Sequence, residues 1–272
     1  MRIPLNFKNL SMLFPRVRRK IFIPSGLTRT PKFPQSVISD LFFIRADNLW
    51  QTNFELLNIN ALLLGGFEAR VWGSAQMYFF GSDGEIIQKL VIPIDSTPRS
   101  TINLNKLIQN FPKKPATFAL FHSESETAEL RGPSLIAERG YVGYEYKNLG
   151  TKSYVHGNLD AVALSTNGVE ALGFSGVFIR NYTVQHLLTG DAKYEFAFTN
   201  PTKKSQKISM EISFKSNKWK KSTMLVLKPF GAGIIKVTEP GQTCVVRFKS
   251  KLYLGRPVVF RTTNLSMDVF HG

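Results

Sequence analysis

The chain has a single cysteine, Cys244, among 272 residues. That excludes an intramolecular disulfide and a cysteine-type zinc site. Cys244 lies in Thr243-Cys-Val-Val-Arg-Phe, which reads as a buried strand, and no histidine stands near it in sequence. A small buried thiol is the expectation there, not a nucleophile. No apolar run reaches the roughly 18 residues of a membrane span. The N-terminus is basic, but proline and arginine break its apolar pieces, which makes a poor export signal. No transmembrane segment is expected, and the cytoplasm is the default compartment. The phosphate-loop, G-x-G-x-x-G, G-x-S-x-G and H-E-x-x-H patterns are missing, which argues against nucleotide hydrolysis, dinucleotide binding, hydrolase and zincin chemistry. The four histidines, His122, His156, His186 and His271, show no i, i+2 or i, i+4 pair. No metal and no cofactor is implied.

Acid is the other scarcity. The chain has 19 Asp/Glu against 35 Lys/Arg, a net charge of +16. Residues 1–39 hold eight basic residues and no acid, residues 200–272 hold 14 against three, and the middle is therefore −3. Two basic ends around a slightly acidic middle point to an anionic partner, an acidic glycan or a nucleic acid. Residues 1–39 also carry five prolines, so they read as an extended arm. Arg16, Arg18, Arg19 and Lys20 are the arm's candidate anion contacts.

What is abundant is strand pattern. Phe67-Glu-Ala-Arg-Val-Trp alternates apolar and polar positions, and Ala75–Phe80, Ser82-Asp-Gly and Ile86–Ile92 form a hairpin signal. Leu159–Ser165, Asn167-Gly168 and Val169–Phe174 form a second. Ala116–Phe121, Tyr141–Lys147, Tyr194–Thr199, Lys207–Phe214, Thr223–Leu227, Gly233–Val237, Thr243–Lys249, Pro257–Thr262 and Leu265–Phe270 follow in the same manner. Helix signals are few: Leu104–Phe111, and one turn at Thr183–Leu188. The expected fold is mainly β with little helix, in two β-sandwich modules after the arm, residues 40–158 and 159–272. The run of short strands and turns resembles immunoglobulin-like or fibronectin-type-III-like modules, with jelly-roll modules as the other sandwich form. The resemblance is one of style and identifies no family or function.

An internal repeat is also legible. Arg139 opens a strand that leads to Val155-His156-Gly157, and Arg256 opens one that leads to Phe270-His271-Gly272. Aromatic strands precede both, at Met77–Phe80 and Tyr194–Phe198. On this reading His156 and His271 are equivalent strand ends in different modules, not partners in one site.

Two regions carry candidate chemistry. Residues 121–160 gather Glu138, His156 and Asp160, a carboxylate and histidine set suited to acid–base work on a glycan. Arg139, Tyr141, Tyr144 and Asn158 are the candidate ligand contacts there, with an arginine fork for an anion and tyrosines for a sugar face. Lys215, Lys218, Trp219, Lys220 and Lys221 follow an alternating strand and read as a hairpin loop that holds phosphate or sulfate. The alternative for these lysines is protection of a sheet edge. The leading expectation is a non-catalytic recognition or assembly protein for an anionic polymer. The alternatives are a glycan-active enzyme using residues 121–160 and a structural subunit of a viral or envelope assembly, with homo-oligomers or larger assemblies open.

Overall fold

The structure, a computed structural model, describes residues 28–33, 36–45, 47–57, 73–94, 99–108, 114–122, 140–214, 218–237, 240–253 and 256–272. The expected strand at Phe67–Trp72 lies outside these. Eight strands come first: β1 (Val37–Ile44), β2 (Trp50–Leu57), β3 (Gly73–Phe80), β4 (Ile86–Ile94), β5 (Arg99–Asn103), β6 (Ala116–His122), β7 (Gly140–Tyr146) and β8 (Thr151–Val155). A hairpin follows, β9 (Asn158–Ser165) and β10 (Gly168–Ala171). Eight more complete the described chain: β11 (Ser175–Thr183), β12 (Lys193–Thr199), β13 (Gln206–Ser213), β14 (Trp219–Leu227), β15 (Ala232–Val237), β16 (Val245–Leu252), β17 (Val258–Thr262) and β18 (Met267–His271). The fold is mainly β, as the alternating pattern implies.

Both expected hairpins form. β3 and β4 join through Asp83-Gly84 with Gly84 at φ 82°, and β9 and β10 through Asn167-Gly168 with Gly168 at φ 97°. Those positive φ values are why glycine stands at each turn. Helix is scarcer than the expected two turns at Leu104–Phe111. Among the described residues one α-helix occurs, α1 (Leu104–Leu107), and the Asn103 side chain caps it by accepting from the Lys106 N–H. The turn expected at Thr183–Leu188 is not a helix. The N–H groups of Val184 and Leu188 donate instead to the carbonyls of Val246 and Cys244, so β16 and the residue just before it take the backbone bonds a helix would have used.

The strands form four antiparallel sheets, ordered β10-β9-β1-β6-β3-β4, β5-β2-β7-β8, β11-β16-β13-β14 and β15-β12-β17-β18. The first eight strands and the last eight share one pairing pattern. β2 pairs with β5 and β7, β7 with β8, β3 with β4 and β6, and β6 with β1. β12 pairs with β15 and β17, β17 with β18, β13 with β14 and β16, and β16 with β11. The counterpart of β12 is thus β2, not the aromatic strand at Met77–Phe80, which belongs to β3. Register supports the His-Gly correspondence: Val142 faces Val155 on β7 and β8, and Val259 faces Phe270 on β17 and β18. Each of those valines follows its arginine by the same interval, and each strand partner is followed at once by His-Gly.

β9 starts at Asn158 but pairs with β1, so residues 158–171 extend the first sheet. Residues of the expected arm are tied to the body: Thr28 bridges Gly173, the Arg29 N–H donates to the Leu172 carbonyl (2.8 Å), the Lys32 N–H donates to Glu170 Oε2 (3.0 Å), and Val37, Ile38 and Ser39 pair with β9. The cores interlock as well. Tyr194, Phe196 and Phe198 of β12 face a cluster with Met210 and Phe248, where Phe248 meets Phe196 and Phe198 at 5.1 and 4.9 Å. From the other face of the same sheet, Ala197, Val258, Phe260 and Val269 enter a cluster with Phe42, Trp50, Phe54, Phe118 and Tyr144. Strand alternation makes this geometry available, since successive side chains leave a sheet on opposite faces.

Arg45 fastens that contact. Its side chain is 3% exposed, binds Asp47 at 2.7 Å and pairs with Glu195 of β12. Its guanidinium also lies 4.5 Å from the Trp50 ring and 4.6 Å from the Phe260 ring. A buried charge needs such partners, because desolvation alone would exclude it.

Candidate anion-binding face and the junction of the two halves

β16 alternates cleanly. Val246, Phe248, Ser250 and Leu252 are buried, while Arg247, Lys249 and Lys251 point the other way. The neighbouring strand β13 sends Lys207, Ser209 and Glu211 to that face, and β14 contributes Lys221, directly across from Glu211. The register sets Glu211 opposite Arg247 on β16 and Ser209 opposite Lys249. The face therefore gathers Lys207, Lys221, Arg247, Lys249 and Lys251 around one carboxylate.

Glu211 ties two of these cations. It accepts from Lys249 Nζ and Arg247 Nε, both at 2.6 Å. The Lys249 bond, joined by Arg247, holds the Glu211 carboxyl below the usual range although partial burial opposes this. Arg247 is also stacked on Trp219, 4.1 Å from the ring. Lys207, Lys221 and Lys251 remain exposed.

The predicted lysine and tryptophan cluster is relocated by this. Trp219, Lys220 and Lys221 are not loop residues; they open the edge strand β14, with Trp219 opposite Ser213. Lys218 is exposed just before it, and Lys215 lies outside the described residues. Sequence reasoning missed Arg247, Lys249 and Lys251. Their i, i+2, i+4 spacing, in and just beyond the expected strand Thr243–Lys249, was the available signal.

The second cluster sits where β8 and β18 meet. Ser153 Oγ donates to the Val269 carbonyl (3.0 Å), which brings the two equivalent His-Gly ends together. The rings of His156 and His271 lie 4.6 Å apart. The expectation that these histidines occupy separate places is overturned, because the strands that carry them are adjoining sheet edges. His271 Nε2 donates to the His156 carbonyl (3.1 Å), and His156 Nδ1 donates to the Gly157 carbonyl (2.8 Å). Burial pushes the His271 pKa down to about 4, with the neighbouring His156 and Arg256 acting in the same direction. It is neutral at physiological pH, and its basicity is too low for an efficient general base there. The crevice lined by His156, His271 and Arg256 measures about 10 Å³, room for one water.

The remaining candidates distribute as follows. Tyr144 is wholly buried in the core and donates its hydroxyl to the Phe43 carbonyl (2.7 Å). Burial drives its pKa well above the ordinary value. Tyr141 is half-buried on β7. Asn158 and Asp160 belong to the backbone of β9. Glu138, Arg139, Arg16, Arg18, Arg19 and Lys20 lie outside the described residues. Among the described residues, no group of three His, Cys, Asp or Glu side chains gathers to hold a metal ion.

No family model matches the chain, and no curated protein matches it. Among solved structures, one match is Streptomyces albus HEPD with substrate 2-hydroxyethylphosphonate (2-HEP) and Fe(II) bound. The identity is 9%, the match covers 83% of this chain and 65% of that one, and the TM-score is 0.14. A superposition that poor carries no argument about fold or activity.

Proposed function

We propose that this chain is a non-catalytic recognition protein that binds an acidic glycan across the outer face of the β11-β16-β13-β14 sheet. The observation that carries the reading is the row Arg247, Lys249, Lys251 on one face of β16, flanked by Lys207 and Lys221, with Glu211 as the carboxylate among the described residues of that face. Alternate residues of a strand stand about 6.8 Å apart and neighbouring strands about 4.8 Å. A flat array of cations at those intervals suits a polymer with repeating sulfate or carboxylate groups. Nucleic acid is the less favoured polyanion. Base stacking needs a series of open aromatic faces, and the one tryptophan on this face is already covered by Arg247. In the same reading each set of eight strands is one copy of a β-sandwich module, and the two copies are fused through the Phe260 cluster.

The test is retention on immobilised heparin against single-stranded DNA of equal charge, as a function of salt. Heparin affinity should fall steeply with salt, and Lys207→Ala with Lys251→Ala should flatten the log–log slope by about 0.7 for each lost contact, the value for a single-stranded polyanion. Equal slopes in parent and double variant would remove the face from the binding site. Stronger retention on DNA would assign it to nucleic acid.

A further inference from the structure

We infer that the outer edge of β11 is a docking site for a bilayer containing anionic phospholipid. Its apolar bulge would enter the interface, and the adjoining cavity would take an acyl chain beneath Arg180 and Arg256. The site adjoins the glycan-binding face proposed above and shares Lys251 with it, but its bulge and cavity are distinct from that face and do not depend on it.

The two halves make the case by comparison. β1 and β11 hold the same place in the shared pairing pattern, each paired with the strand that leads to the sheet centre. The other side of β1 is covered by β9. β11 ends its sheet, so among the described residues no strand covers its other side there. Sheet edges of this kind normally carry charge or proline to discourage association. β11 carries the opposite. Val177, Phe178 and Ile179 are 80%, 82% and 65% exposed. Register also breaks at this point: Ser175 pairs with Leu252 and Arg180 with Ser250, so residues 176–179 stand against Lys251 alone and leave the ladder as a bulge. Three adjacent large apolar side chains held out in water mark a surface that is covered in use.

The flanks say what covers it. Arg180 follows the bulge directly, and exposed Lys251 lies across from it. Arg180 stacks on the Tyr253 ring at 3.7 Å and donates to its hydroxyl at 2.5 Å. Cations and a tyrosine around an apolar tip are the composition of a membrane-interface anchor. The cavity beside the bulge is a second, independent observation. It measures about 320 Å³, has Phe198, Phe248 and Leu252 among its walls, and is rimmed by Arg180 and Arg256. Among the described residues no Asp or Glu side chain pairs with either arginine. Arg256 Nε donates weakly to the main-chain oxygen of Gly272 (3.4 Å). An apolar floor under two guanidinium groups fits one amphiphile with a phosphate head and a hydrocarbon tail. A glycan would use the arginines but leave the bulge and the floor without a partner.

The experiment uses the full chain and vesicles of phosphatidylcholine, with or without phosphatidylglycerol. The parent should co-sediment with the anionic vesicles and not with phosphatidylcholine alone. Phe178→Ser removes no charge and alters an exposed side chain; it should weaken partitioning about tenfold while heparin retention stays unchanged. Arg180→Ala with Arg256→Ala should weaken it further. Phe178→Trp should gain fluorescence quenching by brominated lipid over the background of the three native tryptophans. Equal vesicle binding by parent and Phe178→Ser would overturn the inference, since charge alone would then explain it. Protection of the introduced tryptophan from aqueous quencher without vesicles would also overturn it, by showing that another part of the protein or a second copy covers the bulge.

Discussion

Phe260→Ala should destabilise the whole chain and not only the half that carries it. Phe260 belongs to β17, yet its ring lies 5.0 Å from Trp50, 4.8 Å from Tyr144 and 6.1 Å from Phe43, all from the first half. Truncating a buried phenylalanine costs about 3–5 kcal/mol. The upper part of that range applies here, about 4–5 kcal/mol, because strands of three sheets wall the site and restrict its collapse. The Arg45 guanidinium also loses one of the two rings it stacks between. At about 2–4 °C per kcal/mol for a protein of this size, the melting temperature should fall by roughly 8–20 °C. Differential scanning calorimetry should show one transition for the parent, shifted as a unit in the variant. Phe248→Ala is the control: it empties a site of the second cluster, against Phe196 and Phe198, and should move the same transition if the halves unfold together. A loss below about 1.5 kcal/mol would refute the shared core, being less than the transfer cost of one exposed phenylalanine. So would a parent scan with two transitions of which Phe260→Ala moves only the second-half one.

Glu195→Gln leaves the buried Arg45 guanidinium with Asp47 as its remaining carboxylate, and Lys236 loses a 3.0 Å partner. A loss of about 3 kcal/mol is expected, seen as a lower urea midpoint at unchanged slope; a shift under about 1 kcal/mol would show that the pair is dispensable. His271 gives a pH signature. Its pKa is about 4 in the folded protein against an ordinary 6.5, so between those values the unfolded chain binds the extra proton. Its contribution is complete above pH 6.5 and is lost as pH falls toward 4, at no more than about 1.4 kcal/mol per pH unit. His271→Gln should flatten the stability curve in that window, and an unchanged curve would falsify the assignment.

The elements were legible because they are local. Alternation in Lys207–Phe214 and the Asp83-Gly84 and Asn167-Gly168 turns act over a few residues, and β13, β3–β4 and β9–β10 formed where they point. Pairing is not local. The repeat was visible through Arg139 and Arg256 and the two His-Gly ends, but aromatic content led to β3 as the counterpart of β12. Tyr78 and Phe80 of β3 enter a third cluster, with Leu41, Phe121 and Val162, and nothing in an isolated strand says which sheet it will join. The histidine contact was hidden for a related reason. Equivalence in two copies implies separation only if the copies do not meet edge to edge, and β8 and β18 do.

The same comparison explains why the candidate sites fall in the second half. On the sheet of β2, Glu55 accepts from Arg99 Nε and Thr101 Oγ1, both at 2.8 Å. Burial would raise the Glu55 pKa, and those bonds hold it below the ordinary value. On the equivalent sheet of β12 the outer face is apolar at Ala197, Val258 and Phe260 and is spent on contact with the first half. Docking one copy through that sheet leaves its other sheet, β11-β16-β13-β14, outermost, with the basic row on its face and the bulge on its edge. The first copy has its corresponding edge closed by β9. The shared pairing pattern thus has one half whose edge is sealed and one whose face and edge are both open among the described residues. Charge is the part of that division the sequence could show, in the +11 of residues 200–272, because charge sums along the chain whatever the fold. The open edge needed the strand order, which no local pattern encodes.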